Sequence, residues 1–309
     1  MHDLRTSTIC HWSARSASWP REGLAVDSQT LWDQTAALAK KLQKAWEDLR
    51  ADAIASPVLG FDETSWEVMT KGSASKKSWT MWQLSTRRAV YYAIAPDHDT
   101  DEGNTFLEGF KGIAVGDAAI VHKSMAKTSN YRLAFCWAHG RRAFIKAEAN
   151  DPIRAGQFIA MVQELYAVEA QAPPGPEGDE QRRKLRKEFS RPIIKKMEEW
   201  LVAQHSLPKS DFGKAVRYMT NNWKGLGVFL DEPQVPIDNN QTERGFRGPA
   251  LGRNNFYGSH SRRGTEVAAI LYSLIESAKL NGLDPKAYLK KALAAVLDGK
   301  HIPLPHEIP

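Results

Sequence analysis

Three acidic residues, far apart along the chain, have the chemical type and local setting for metal-ion chemistry. Asp62 and Asp117 each end a short apolar run, and Glu243 lies in the polar segment 237–255. Each acid alone is explained by a solvated turn or helix surface. Three carboxylates cannot cluster in their ionised form without a cation between them, and together they supply the hard oxygen ligands that Mg²⁺ binds. Two Mg²⁺ ions about 3.5–4 Å apart would activate a water or a 3′ hydroxyl and stabilise the leaving oxygen in a phosphodiester displacement.

The segment that holds Glu243 is predicted to be helical over residues 238–248. Asp238 is expected to cap this helix, and the register then puts Asn239, Glu243 and Arg247 on one face at spacings of four. An exposed ion pair between Glu243 and Arg247, of little energetic consequence, is the alternative for that face. Three residues disfavour a helix here: Gly245, Gly248 and Pro249. Helix stability alone therefore does not explain the amino-acid composition of this segment.

The elements that must position the two aspartates follow from hydrophobic patterning. An amphipathic helix is predicted over residues 29–50, where apolar residues recur at helical spacing. Apolar, aromatic and β-branched runs predict strands in the segments 58–68, 78–88, 89–96, 112–121 and 131–139. A helix is predicted at 101–112, between the third and fourth strands. Three linked strands followed by alternating helices and strands give a mixed sheet, and acids at the ends of two such strands converge.

Beyond Arg141 the strand pattern ends and helices are predicted. They cover 153–170 and 190–204, on either side of a polar, Pro-rich and basic stretch, and helical character returns at 264–281. The last nine residues contain three prolines and are predicted to be an irregular tail. We therefore predict an α/β fold, a mixed five-stranded sheet with flanking helices, interrupted by an α-helical insertion.

Composition excludes several classes of protein. The 309 residues are 42% hydrophobic and 25% charged, which is typical of a globular protein and not of a disordered or fibrous chain. No window approaches the ~20 apolar residues of a transmembrane helix, and no apolar stretch near the N-terminus resembles the core of a secretory signal. Cys10 and Cys136 form no CxxC pair, which argues against a disulfide framework. The cysteine usage and the N-terminal sequence predict a cytoplasmic protein, and the formal charge of +6 favours a polyanionic partner over a membrane surface.

Basic residues are the candidates for contacts with such a polyanion. Arg141 and Arg142 are phosphate contacts or part of a solvated basic face. The run 182–196 holds eight Lys and Arg residues and one acid, and is interpreted as a surface that follows a nucleic-acid backbone or as a flexible arm. A second candidate surface for phosphate contacts contains Arg253, Arg262 and Arg263.

Cys136 and His139 raise the alternative of a zinc site. A structural zinc site needs four ligands, and no second cysteine lies nearby. The preferred interpretation is structural, with Cys136 and Trp137 at the end of a buried strand and His139 just beyond it.

Several segments together resemble the IS66-type insertion-sequence transposases. They are DET at 62–64, WxxW at 79–82, FLEGFKG at 106–112, GD at 116–117, CWAHGRRAF at 136–144, and the segment from IDNN at 237 to YL at 288–289. The resemblance implies a ribonuclease H-like DDE core with Asp62, Asp117 and Glu243 as the catalytic and metal-ligating acids. It implies two Mg²⁺ ions, with Mn²⁺ as a substitute. It also implies DNA contacts by arginines near the third acid: Arg244, Arg247 and Arg253.

The resemblance also sets the predicted domain organisation. The predicted parts are an N-terminal helical segment (1–55), a first part of the catalytic core (56–145), a helical insertion (146–234), a second part of the core (235–290) and a C-terminal tail (291–309). An upstream zinc-binding portion, usual in the family, is expected to be missing before Asp62. The family pattern Asp-Gly-Tyr is replaced by Asp117-Ala118-Ala119.

The leading hypothesis is a DDE-type DNA transposase that cleaves a phosphodiester at the end of an insertion sequence and joins the freed 3′ hydroxyl to target DNA. One alternative is a shortened transposase that acts as a DNA-binding remnant or modulator. Another is a ribonuclease H-like nuclease that acts on RNA or RNA:DNA hybrids. The expected partners are element-end and target DNA, further copies of the chain on that DNA, and small accessory proteins of the same element. The expected location is the cytoplasm, in association with the nucleoid.

Overall fold

The structure, a computed structural model, describes residues 26–69, 77–256 and 258–308. Residues 1–25 of the predicted N-terminal segment, with Cys10, lie outside the described residues. The strands are β1 (Val58–Val68), β2 (Lys77–Ser85), β3 (Val90–Ala95), β4 (Ile113–Gly116) and β5 (Arg132–Phe135). The α-helices are α1 (Ser28–Lys41), α2 (Gln43–Ala55), α3 (Thr100–Phe106), α4 (Ile120–Lys127), α5 (Trp137–Ala147), α6 (Pro152–Glu169), α7 (Asp179–Leu185), α8 (Arg191–Val202), α9 (Asp211–Leu226), α10 (Asn240–Gly245), α11 (Arg247–Phe256), α12 (Arg262–Leu280) and α13 (Pro285–Leu297). Within these ranges, no helix has both the length and the apolar character needed to cross a membrane.

The strands of the described residues form a five-stranded sheet in the order β3-β2-β1-β4-β5. β1 and β2 are antiparallel, as are β2 and β3, whereas β4 and β5 are parallel. Short connections keep β1, β2 and β3 adjacent, and α4 provides the crossover that a parallel pair requires. The predicted α/β fold, a mixed five-stranded sheet with flanking helices, is confirmed.

The chain divides into two compact units. Unit 1 comprises Met1–Phe110 and Gln241–Pro309, and unit 2 comprises Lys111–Asn240. Side chains alternate between the two faces of a strand, and one face of β1–β3 in unit 1 carries a buried cluster. This cluster contains Trp66, Val68, Met81, Val90, Tyr92, Phe246 and Tyr272. It joins the sheet to the helices that follow residue 240.

Helices α2 and α3 lie against the other face of β1–β3. The ring of Trp46 stacks on Tyr91 at 5.0 Å between centroids, and Phe106 stacks on the same tyrosine at 5.9 Å. The indole N–H of Trp46 donates to the carbonyl of Tyr92 (3.0 Å). Both faces of this part of the sheet are therefore covered by helices.

Unit 2 has its own aromatic core, built from α5, α6, α8 and α9. Phe144 stacks on Phe158 at 4.0 Å between ring centroids, and Trp200 and Phe212 meet Phe144 edge-on. All of these helices lie within residues 137–226, which is the region of the chain where the strand pattern is lost. Burial of large aromatic rings supplies much of the stability of such a helical unit.

Several predicted elements have different bounds in the structure. The strand predicted over 112–121 is only β4 (Ile113–Gly116), and the helix predicted over 101–112 ends at Phe106. The helix predicted over 29–50 is two helices in the structure, α1 and α2, because the helical conformation is interrupted at the fully buried Leu42. The prediction that Cys136 and Trp137 end a strand was wrong, because β5 ends at Phe135, opposite the last residue of β4. A strand without a further ladder partner gains no hydrogen bonds by continuing, and Trp137 instead begins α5.

Candidate functional site

Asp62 lies in the middle of β1, on the sheet face that carries the buried cluster of unit 1. It pairs across the ladder with Gln83 of β2, which pairs in turn with Tyr92 of β3. Directly opposed residues share a face, so these three side chains form one row. Glu63 points to the other face, where its Oε1 lies 2.9 Å from Nε2 of His98. Strand geometry therefore separates the two acids of the Asp-Glu-Thr motif.

Glu243 lies on α10, and hydrogen bonds hold this helix on the face that bears the row. Oγ1 of Thr242 lies 2.6 Å from Oγ of Ser85 on β2, and the pair is buried. The hydroxyl of Tyr92 donates to the carbonyl of Gly245 (2.6 Å). Glu243 itself is half-buried.

Two glycines allow this segment to approach its neighbours closely. A Cβ at Gly245 would overlap the side-chain amide of Gln83, and one at Gly248 would overlap the carboxylate of Glu276. Pro249 lies in the first turn of α11, where its missing N–H removes no helical hydrogen bond. Close packing is therefore the reason that residues 240–256 depart from good helix formers.

The prediction of a single helix over 238–248 was wrong, because the structure has two helices there, α10 and α11. The segment breaks at Phe246, whose side chain joins the buried cluster, and α11 begins at Arg247. Asn239 precedes α10 and is buried. Consequently Asn239, Glu243 and Arg247 do not share one continuous helical face.

Asp117 directly follows β4 in unit 2, and two donors hold its carboxylate. Nδ1 of the fully buried His122 lies 2.6 Å from Oδ1 of Asp117, and the N–H of Ala119 donates to the same oxygen (3.0 Å). Burial alone would raise the pKa of Asp117, but the hydrogen bond and charge of His122 outweigh it and lower that pKa below its ordinary value. No described residue bonds to Oδ2, so that oxygen is available to a cation. No sequence pattern singles out His122, because its role depends on the fold of the loop after β4.

Cys136 and Asp238 have structural partners in unit 2. Sγ of Cys136 accepts the N–H of Asn239 (3.2 Å), and burial raises the pKa of the thiol to about 11. The side chain of Asp238 accepts the hydroxyl of Tyr166 (2.9 Å) and the N–H of Asn240 (3.1 Å). Cys136 is therefore a protonated thiol at neutral pH, as its structural interpretation requires.

The arginines predicted to contact DNA differ in their surroundings. Nη1 of Arg253 donates to the carbonyl and hydroxyl of Ser65 and to the hydroxyl of Thr64, so this residue fastens α11 to β1. Arg142 donates to Nε2 of His139 (3.0 Å). The others are Arg141, half-buried on α5, and the exposed Arg244, Arg247, Arg262 and Arg263.

Three of the exposed arginines lie in the first turns of helices. Arg247 begins α11, and Arg262 and Arg263 begin α12. A cation in this position opposes the helix dipole. The contact between Arg262 and Glu266 (3.5 Å) joins two exposed side chains and stabilises the helix little. The helix dipole therefore does not explain why arginines occupy these positions.

Much of the basic run 182–196 is used within unit 2. Arg186 is fully buried and pairs with Glu169, and Arg191 pairs with Asp231 at the surface. The exposed lysines of the run are Lys184, Lys187, Lys195 and Lys196. A contact of this run with a nucleic-acid backbone would therefore rest mainly on lysines.

Comparison with known proteins places these residues in a family context. The model of the family described as "Transposase IS66 family" matches residues 14–267. Two curated relatives come from Sinorhizobium fredii (strain NBRC 101917 / NGR234). "Uncharacterized protein y4hP" is 29% identical, and the match covers 92% of this chain and 56% of the relative. "Uncharacterized protein y4jD" is 28% identical, and the match covers 90% of this chain and 57% of the relative. The chain thus spans about half the length of these relatives.

Among solved structures, the chain is similar to "Mos1 transposase paired-end complex with left transposon end". The two are 10% identical, the match covers 72% of this chain and 80% of that one, and the TM-score is 0.21. A TM-score of this size is too low to establish a shared fold.

Proposed function

Since the chain belongs to the IS66 family of transposases, we propose that it is a metal-dependent DNA transposase that cleaves a phosphodiester at the end of an insertion sequence and joins the freed 3′ hydroxyl to target DNA. Transposases of the DDE type use divalent metal ions. In this proposal Asp62, Asp117 and Glu243 are the catalytic and metal-ligating acids. The ions are two Mg²⁺, for which Mn²⁺ can substitute.

The observation that carries the proposal is the way β2 connects two of these acids within unit 1. Asp62 is directly opposite Gln83 on β2, and the amide of Gln83 lies against Gly245 of the helix that carries Glu243. Ser85 of the same strand contacts Thr242 of that helix. Residues 181 positions apart in sequence are thereby brought to one sheet face by a rigid strand, as a preorganised site requires.

The donor set fits hard divalent cations. The acids are carboxylates with partial solvent access, which is the ligand type that Mg²⁺ and Mn²⁺ prefer. At Asp117, His122 and the N–H of Ala119 occupy Oδ1 and hold the carboxylate with Oδ2 available as a ligand. When bound, such ions activate the attacking oxygen and stabilise the leaving oxygen of an in-line displacement.

DNA binding in this proposal depends on exposed arginines. Arg247, Arg262 and Arg263, with Arg244, would contact phosphates, whereas Arg253 would act through its attachment to β1. Arg141 and Arg142 are the corresponding candidates on α5. Element-end and target DNA are the proposed partners, together with further copies of the chain on DNA and small accessory proteins of the same element; association with the nucleoid follows from DNA binding.

A pair of matched substitutions tests the catalytic proposal. Asp62→Asn and Glu63→Gln each replace a carboxylate by an amide at adjacent positions of β1, but the two side chains point to opposite faces. We expect Asp62→Asn to abolish Mg²⁺-dependent nicking of a supercoiled plasmid that carries the element ends, and Glu63→Gln to retain it. Nicking by Asp62→Asn at the parental rate would refute the assignment. Binding to the ends that persists in EDTA, without any cleavage by the parent, would support the DNA-binding remnant instead.

A further inference from the structure

Gln83 is a fully buried polar residue without a hydrogen-bond partner. Its side chain has no exposed surface, and neither Nε2 nor Oε1 bonds to any part of the chain that the structure describes. A buried polar group left unpaired destabilises the folded state. Packing does not require an amide here, because Met81, two residues earlier on the same face of β2, is buried and apolar. The amide therefore has another reason to occupy this position.

The surroundings of Gln83 indicate what that reason is. It pairs directly with Asp62 on β1, so the two side chains are neighbours on one face. Its amide also lies against Gly245, where the atoms that a Cβ would meet are Nε2, Cδ and Oε1 of Gln83. The unpaired amide thus lies between the strand that carries Asp62 and the helix that carries Glu243.

We propose that Gln83 is a positioning residue for the divalent-cation site, and that its amide gains hydrogen-bond partners only when a cation is bound. The partner is an oxygen of the loaded site, either of the Asp62 carboxylate or of a water on the cation. This inference rests on the proposed function, because it assumes that Asp62 and Glu243 bind metal. The amide carries no charge, so it orients an oxygen without competing for the cation, as groups around metal ligands do. Gly245 is required because a larger residue would displace the amide from this position.

The test compares cation binding by Gln83→Met with that by the parent chain, without DNA. Methionine keeps the length and volume of glutamine and removes the amide. We expect the thermal midpoint of the metal-free variant to equal or exceed that of the parent, because a buried unpaired group is lost. We expect the Mg²⁺ or Mn²⁺ concentration that gives half of the cation-induced rise in midpoint to increase by about 10- to 100-fold.

Thr80→Val is the matched control for this experiment. Thr80 is a buried polar residue on the other face of β2, and valine is its apolar isostere. This variant should keep the parental cation dependence. An unchanged cation dependence in Gln83→Met would overturn the role of Gln83 and leave the proposed function standing. An unchanged cation response in Asp62→Asn would instead count against the proposed metal site itself.

A second measurement covers the case in which Gln83→Met does not fold. The side-chain amide ¹H–¹⁵N resonances of Gln83 in the parent chain are followed as Mg²⁺ is added. A new oxygen partner would move the amide proton that it accepts downfield, with the same half-saturation as the thermal midpoint. Resonances that stay in place while the midpoint rises would refute the proposal.

Discussion

Replacement of Arg186 by methionine should destabilise unit 2 severely, although Arg186 belongs to a run that looks like a nucleic-acid contact. Its guanidinium is fully buried and makes two bonds to Glu169, from Nε to Oε1 and from Nη2 to Oε2, each 2.7 Å. The remaining bonds go to the carbonyls of Phe229 (2.5 Å), Glu232 (3.0 Å) and Val235 (3.0 Å). These five bonds use all five donors of a guanidinium. No donor of Arg186 remains for a phosphate.

The expected loss follows from the groups that the substitution would leave behind. The side chain of Glu169 is only 13% exposed and would keep only its longer contact with Nε of Arg182 (3.6 Å). Breaking a buried ion pair by removing one partner costs about 3–5 kcal/mol. Three carbonyls would also lose their donor. A loss of about 4 kcal/mol is a large share of the 5–15 kcal/mol by which a typical domain is stable. At a urea dependence of about 2 kcal/mol per molar, the unfolding midpoint should fall by about 2 M.

Arg191→Met is the matched control, since it removes the same charge from the same run. Its ion pair with Asp231 joins side chains that are 48% and 62% exposed, and such pairs contribute less than about 1 kcal/mol. Urea unfolding followed by circular dichroism measures both variants. Equal midpoints for Arg186→Met and Arg191→Met would refute the structural role of Arg186. The double variant Arg186→Met/Glu169→Met should recover part of the loss, because no buried charge is left unpaired.

Two further predictions concern backbone geometry and DNA binding. Gly258→Ala should lower the free energy of unfolding by about 2–4 kcal/mol, because φ is +81° and the added Cβ would overlap the carbonyl of Glu67. Gly282→Ala, at φ +72° but in open space, should lower it by about 1 kcal/mol. Equal urea midpoints for the two variants would contradict this prediction. Arg262→Gln combined with Arg263→Gln should reduce the slope of log affinity for DNA against log salt concentration by about 2, and an unchanged slope would exclude phosphate contacts by this pair.

Local patterns predicted an element well where its tertiary surroundings agree with them. β1, β2 and β3 lie within three residues of their predicted bounds, because alternation and aromatic content suit a strand and each strand also has a partner along most of its length. α6 and α12 likewise match long periodic segments that are buried on several sides. In these elements propensity and packing favour the same structure.

Predictions failed where a distant part of the chain decides the outcome. β5 ends at Phe135 because β4 ends at its partner Gly116, and residues 131–139 contain no sign of that limit. The segment around Phe246 bends because this side chain enters the cluster on the sheet. Each of these ends depends on a residue more than 15 positions away.

The sequence by itself determined the fold class, the three candidate acids and the family resemblance, since residue types and their spacing along the chain carry that information. Tertiary structure alone decided which polar side chains are buried and which are held in contacts within the chain. Nothing in the sequence distinguishes Arg186, Arg253 and Gln83 from other polar residues. In the structure, Arg186 is a buried ion-pair partner, Arg253 holds α11 against β1, and Gln83 is an unpaired amide beside Asp62. Burial is a property of contacts between distant segments, and it sets the free-energy cost of leaving a polar group unpaired. For that reason the role of each of these three side chains follows from the packing around it.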